Sequence, residues 1–201
     1  MNARTIAALS LTTLFFVGGA WLLLNRGERA AASTGGATDI PELGMTRVER
    51  GKYLVTSVGC DDCHTPLKSG ANGPEPDLAR RLSGHPDFMK LPPAPAAAGP
   101  WMVSAAATLT AWSGPWGTSF TANLTPDPET GLGSWTEQNF VQTIRKRRHM
   151  GSGRPLLPPM PAAFYANFSD YDLKAIFAYL QTIPAIKNRV PQPLPPLDGA
   201  Q

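Results

Sequence analysis

The chain has 201 residues, 21 of them proline and 19 glycine, close to one fifth of the total against the roughly 12% of average usage. That length suits a single domain, 42% hydrophobic residues rule out wholesale disorder, and two cysteines exclude the disulfide framework of a small secreted scaffold. The formal charge of +3 overstates the basic character: Arg4, Arg26 and Arg29 are N-terminal, and from Asp39 onward 15 Lys and Arg face 14 Asp and Glu, which gives no support to polyanion binding and points to no nucleic-acid partner.

Residues Ile6 to Leu24 form an uncharged run of 19, preceded by Arg4 and followed by Arg26 and Arg29. A helix of about 20 residues spans a bilayer. A cleaved signal peptide has a shorter apolar core, about 7 to 15 residues, ahead of a small-residue site. Ala30 to Ala32 or Gly18 to Ala20 could supply such a site, so the expectation for residues 1–29 is a signal anchor, with a cleaved signal peptide as the alternative. Residues 30–45, with Ser33, Thr34, Gly35 and Gly36, read as a linker.

From Thr46 the pattern changes. Leu54 and Val58 are i,i+4 neighbours with Gly51 three positions before Leu54, which predicts a helix with one apolar, locally thin face where a second helix can approach. The pentapeptide Cys60-Asp61-Asp62-Cys63-His64 follows directly and spells C-x-x-C-H, the attachment pattern of c-type haem. Two thiols three positions apart can reach the two vinyl groups of one porphyrin edge as thioethers, while the adjacent imidazole meets the iron. A structural zinc site needs four ligands, and only His85 and His149 remain besides. A redox C-x-x-C needs no histidine, and a simple disulfide leaves His64 unexplained. One such motif means one covalently bound haem c with its iron, anchored through Cys60 and Cys63 and ligated by His64.

Residues 66–118 hold nine prolines and six glycines, with Trp101, Trp112 and Trp116 among them and no sustained periodicity. They read as a long ordered loop insert, covering the haem edge or offering a docking surface. A capped helix is predicted from Ser134, with Glu137 three positions on and Phe140, Val141 and Ile144 inside. It ends in Arg145, Lys146, Arg147, Arg148 and His149, which serve either as cations at a helix C-terminus or as a contact for an acidic partner or for haem propionates. Met160 sits in Leu156-Leu-Pro-Pro-Met-Pro161, where prolines hold the chain extended, a setting that suits an iron ligand better than a core methionine. Met160 is therefore the candidate distal ligand; Met150, His85 or His149, or an open site, are the alternatives. Ser169 with Asp172 three positions on opens a helix whose Leu173, Ile176, Phe177 and Leu180 form a core-facing stripe before Ile183-Pro184.

The order C-x-x-C-H, Asn123-Leu-Thr-Pro-Asp, Trp135-Thr-Glu, Gly153-Arg-Pro-Leu-Leu-Pro-Pro-Met-Pro161, the Ser169 to Leu180 helix and Pro184 to Pro191 resembles class I c-type cytochromes over about residues 46–195. It is closest to the cytochrome c proteins and subunits associated with membrane-bound alcohol, aldehyde and sugar-acid dehydrogenases. The resemblance implies an all-α cytochrome c-like haem-binding fold with long Pro/Gly-rich loops and crossed N- and C-terminal helices. It also implies Cys60 and Cys63 as thioether anchors, His64 as proximal and Met160 as distal ligand, and it supports a transmembrane or signal helix. Those dehydrogenase subunits often carry three such domains, whereas this chain has one motif.

The domain reading is anchor or signal peptide 1–29, linker 30–45, cytochrome c domain 46–195 with the 66–118 insert, and a tail 196–201. The functional expectation is an electron-transfer protein, not itself an enzyme. It would be tethered to the inner membrane with its haem domain facing the periplasm, or secreted there if cleaved, since bacterial thioethers to haem form outside the cytoplasm. Its partners would be a dehydrogenase, an oxidase or another cytochrome in a respiratory chain. A gas-binding or sensing haem protein with a labile distal ligand is the alternative.

Overall fold

The computed structural model describes residues 44–95 and 100–196. The apolar run 6–24, nearly all of the linker and the tail beyond Pro196 lie outside the described residues, among which no helix is long and apolar enough to cross a membrane.

Five helices carry the core. Helix α1, Arg47–Ser57, opens on a reciprocal cap: the Thr46 hydroxyl accepts from Glu49 N at 3.2 Å, and the Glu49 carboxylate accepts from Thr46 N at 2.8 Å. Helix α2 is the single turn Cys60–His64. Helix α3 spans Glu137–Lys146, α4 is the turn Ala162–Tyr165, and α5 spans Asp170–Leu180. As read from the sequence, the Ser169 hydroxyl caps α5 by accepting from Asp172 N at 3.0 Å, and Leu173, Ile176, Phe177 and Leu180 are all buried. The cap of α3 is not the expected one. Thr136, not Ser134, closes the first turn in a reciprocal pair with Asn139, while Glu137 instead pairs with Arg47, the first residue of α1, and Lys174 of α5.

Helices α1 and α5 meet at Gly51. A Cβ there would fall on the Ala175 carbonyl and 2.8 Å from Tyr179 Cβ, so glycine alone allows this approach. Around the contact, Leu54 and Val55 pack into one cluster with Phe140, Val141 and Ile144 of α3 and the stripe of α5. Arg50 Nε donates to Asp172 Oδ1 at 2.9 Å and fixes the pair at its rim.

The all-α expectation is overturned. Two small antiparallel sheets are present, one of β1 (Leu67–Gly70) and β2 (Gly73–Pro76), the other of β3 (Ser104–Ala105), β4 (Ala111–Gly114) and β5 (Gly117–Phe120) in the order β3-β4-β5. Leu67 pairs with Pro76 and Gly70 with Gly73; Ala111 pairs with Phe120 and Gly114 with Gly117. Proline removes helical hydrogen bonds and glycine disfavours helix, so this stretch folds into hairpins with turns at Ala71-Asn72 and Pro115-Trp116. Strands of two to four residues are too short for alternation to show in the sequence. Trp112 and Trp116 are half-buried, their indole N–H groups donating to Leu109 O at 3.1 Å and Ser119 Oγ at 3.3 Å, whereas Trp101 is exposed. Thr118 and Leu194 exchange two backbone hydrogen bonds at 2.9 Å, joining the C-terminal segment to β5.

Candidate cofactor site

The turn α2 places Cys60, Cys63 and His64 at i, i+3 and i+4, one face of a helix, and all three line a cavity of about 460 Å3. Asp61 and Asp62, at the intervening positions, do not line it. Asp61 instead accepts from Arg81 at 2.6 Å and from Thr65 Oγ1 at 3.2 Å, and Arg81 donates on to Tyr179 Oη at 2.8 Å, so the turn is tied to α5 from behind. That volume lies in the range of cofactor and ligand pockets. Its walls are largely apolar, with Val58, Leu132, Phe140, Ile144, Leu173 and Ile176 among them.

The cysteines are free thiols, each half-buried. Burial, then Asp61, the other cysteine and Asp62 push Cys60 up to about 12; burial and then Asp62 raise Cys63. Both are therefore protonated at neutral pH. His64 is buried, and burial lowers its pKa against the opposing effects of the Ala122 hydrogen bond and Asp61. Its Nδ1 lies 2.8 Å from Ala122 O. A carbonyl only accepts, so Nδ1 carries the proton and Nε2 keeps its lone pair. Nε2 has no protein partner among the described residues, and no buried side-chain polar atom there is left unpaired, so it opens onto the cavity.

The acceptor of that hydrogen bond is itself built in. His85 N donates to Thr121 O at 3.0 Å, Leu124 N to Leu82 O at 2.9 Å, and Gly84 N to His64 O at 2.8 Å, which lays residues 82–85 along 121–124. Asn188, fully buried, donates to Ser83 O at 2.7 Å and His85 O at 2.8 Å and accepts from Asp87 N at 2.9 Å. Asn123 donates to Ile186 O at 2.8 Å and accepts from Thr125 N at 2.9 Å. Every amide in this network is satisfied, which makes it stiff.

Met160 lines the same cavity as the α2 face. Its loop is held by Ser119 Oγ donating to Pro158 O at 2.5 Å and by Ala162 N donating to Met160 O at 2.8 Å. His149 also lines the cavity, edge-on to Trp135 with ring centroids 5.1 Å apart. Met150 and His85 do not line it: Met150 is exposed, and His85 is buried against Phe120 with Nδ1 3.0 Å from Thr110 Oγ1. Among the described residues no cluster of three His, Cys, Asp or Glu could hold a bare metal ion. Paired thiols, one imidazole with a free lone pair, a thioether and apolar walls instead fit a haem.

Several residues that build the site escaped the sequence reading. The Ala122 carbonyl is a backbone group, and Asn188 looks like any loop asparagine. No described residue within 66–118 lines the cavity, and Gly84 of the insert donates its N–H to His64 O at 2.8 Å. Of the run 145–149, His149 lines the cavity but the four cations do not: Arg145 pairs with Asp170 at 2.5 Å, and Lys146, Arg147 and Arg148 are exposed outside the lining.

No family model matches the chain. Among curated proteins it is 26% identical over 177 residues to the cytochrome c subunit of a quinone-dependent alcohol dehydrogenase from Gluconobacter oxydans, covering 84% of this chain and 30% of that protein. It is 24% identical over 196 residues to the fructose dehydrogenase cytochrome subunit of Gluconobacter japonicus, covering 94% and 32%. Over 65 residues it is 40% identical to the gluconate 2-dehydrogenase cytochrome c subunit of Pantoea cypripedii, covering 32% and 14%. The chain thus spans a third or less of the length of these relatives. By sequence the chain is similar to cytochrome c subunits of alcohol, fructose and gluconate dehydrogenases.

Proposed function

We propose that this chain is a c-type cytochrome with one covalently bound haem that carries single electrons from a dehydrogenase to a respiratory acceptor, either an oxidase or another cytochrome. The observation that carries the reading is the meeting of Cys60, Cys63, His64 and Met160 in one cavity. Haem c supplies a one-electron iron couple when bound. Cys60 and Cys63 would hold it through thioethers, and His64 Nε2 and Met160 Sδ would ligate the iron, the thioether raising the potential and barring small molecules. The hydrogen bond from His64 Nδ1 to Ala122 O fixes the ring orientation and its tautomer. The apolar walls from α3 and α5 would exclude water. The role is transfer between proteins and needs no substrate-converting groups.

The test is Met160→Ala in the haem-loaded protein. The long-wavelength sulfur-to-iron charge-transfer band of the oxidised protein should disappear and the potential should fall. A band that survives, or a wild-type protein that is high-spin and binds CO readily, overturns the ligand assignment in favour of a gas-binding haem protein.

The same reading places the domain on the periplasmic side of the inner membrane, tethered by residues 6–24. Its supports are the length of that uncharged run and the extracytoplasmic formation of bacterial haem thioethers. The protein should stay with membranes after a high-salt wash; release into the soluble fraction would indicate cleavage.

A further inference from the structure

A haem bound in this cavity brings a pair of propionate carboxylates. Cys60 and Cys63 would fix the vinyl edge, so the propionates lie at the opposite edge and must be met by other segments. An unpaired carboxylate in an apolar cavity is costly, and a guanidinium, with its planar fork of donors, is the side chain best fitted to meet it.

Besides His64, the charged or titratable side chains lining the cavity outside α2 include Glu129, His149, Arg154 and Arg189. Glu129 is neutralised by Lys187 at 2.8 Å. Arg47, Arg50, Arg80, Arg81 and Arg145 each have a carboxylate partner. Arg154 and Arg189 have none among the described residues, and unlike Arg147 and Arg148, which also lack one, they line the cavity. Arg154 is exposed at the mouth of the cavity lining, yet partial desolvation still holds its pKa below the usual arginine value. A partly desolvated cation without a counter-ion is half of an ion pair. His149 does not compete for the role, since burial and then Arg154 lower its pKa and leave it neutral near pH 7.

We infer that Arg154 and Arg189 form the propionate-binding end of the cavity, an assignment that rests on the haem reading above. The consecutive basic residues at the end of α3, which look from the sequence like the natural clamp, are left to other contacts.

The experiment measures reduction potential against pH on haem-loaded wild type, Arg154→Gln, Arg189→Gln, the double variant, Arg154→Lys, and His149→Gln. Lys146→Gln serves as a charge control outside the cavity. An ionised propionate favours oxidised iron, so the potential falls as pH rises through the propionate pKa. A neighbouring guanidinium keeps that pKa low. Arg154→Gln should move the fall upward by about 1 to 3 pH units, and Arg189→Gln should move it in the same direction. Arg154→Lys should restore part of the shift, and the double variant should exceed either single one. Lys146→Gln should leave the profile in place. Glu129, with its partner Lys187, His149 and Tyr165 are the other titratable groups outside α2 at the lining, so a fall that moves with His149→Gln instead would reassign it and overturn the inference. Profiles of the double variant and wild type that superimpose overturn it as well, with the haem reading intact. Absence of covalent haem in the wild type would overturn the haem reading itself. Because Arg154 and Arg189 are both exposed, neither substitution removes a buried side chain, and each variant should load haem and report on the assignment.

Discussion

Replacing both Cys60 and Cys63 by serine is expected to abolish covalent haem and to leave a protein without a cooperative fold. Serine hydroxyls do not form the thioethers, so haem staining after denaturing electrophoresis should vanish. The structural effect follows from the size of the cavity. A space of about 460 Å3 among Phe140, Ile144, Leu173 and Ile176 would have nothing to fill it. At ~24 cal/mol per Å3, the penalty found for engineered cavities, that is on the order of 10 kcal/mol, an upper bound because walls collapse and water enters. Whole domains are stable by only about 5–15 kcal/mol. Circular dichroism should therefore show lost helix and no sigmoidal melt. Covalent haem retained in the double variant, or a sharp native-like transition without it, overturns the central assignment.

Gly84→Ala should have the next largest effect. Gly84 has φ +77°, a conformation that costs other residues roughly 1–2 kcal/mol. A Cβ there would also lie 2.6 Å from both the carbonyl carbon and oxygen of Ala122. Those are backbone atoms held by the His85 N to Thr121 O and His64 Nδ1 to Ala122 O hydrogen bonds and cannot swing aside, so overpacking adds about 1–3 kcal/mol. The expected loss is about 2–5 kcal/mol. The displaced group is the oxygen that accepts from His64 Nδ1, so the potential of the haem-loaded variant should shift as well. Thermal unfolding and redox titration check both. A variant within about 0.5 kcal/mol of wild type, with an unchanged potential, would show that the 82–85 segment does not position the ligand.

What could be read from the sequence is what depends on local chemistry. The pentapeptide, the cap at Ser169 and the stripe Leu173, Ile176, Phe177 and Leu180 need only neighbours three and four residues away, and Gly51 betrays its partner helix by lacking a side chain on the apolar face. The cap of α3 was misplaced by two residues because Ser134 and Glu137 match a capping pattern as well as Thr136 and Asn139 do; the ion pairs of Glu137 with Arg47 and Lys174 decide between them from distant parts of the chain. The strands of 67–120 were illegible since two to four residues cannot display a period, and their prolines and glycines read simply as loop. The cationic run at the end of α3 drew attention by its density, yet charge density says nothing of which guanidinium already has a partner.

The clasp made by the C-terminal segment also bears on how the chain assembles. Asn188 reaches Ser83 and His85 across 105 and 103 residues of sequence, and Asn123 reaches Ile186 across 63. Contacts of such separation carry a large loop-closure cost and slow the folding of any chain that depends on them. The helical turn bearing the two thiols needs no such closure. Assembly in that order presents Cys60 and Cys63 in register, as neighbours on one turn, before the distant segments lock the wall behind His64.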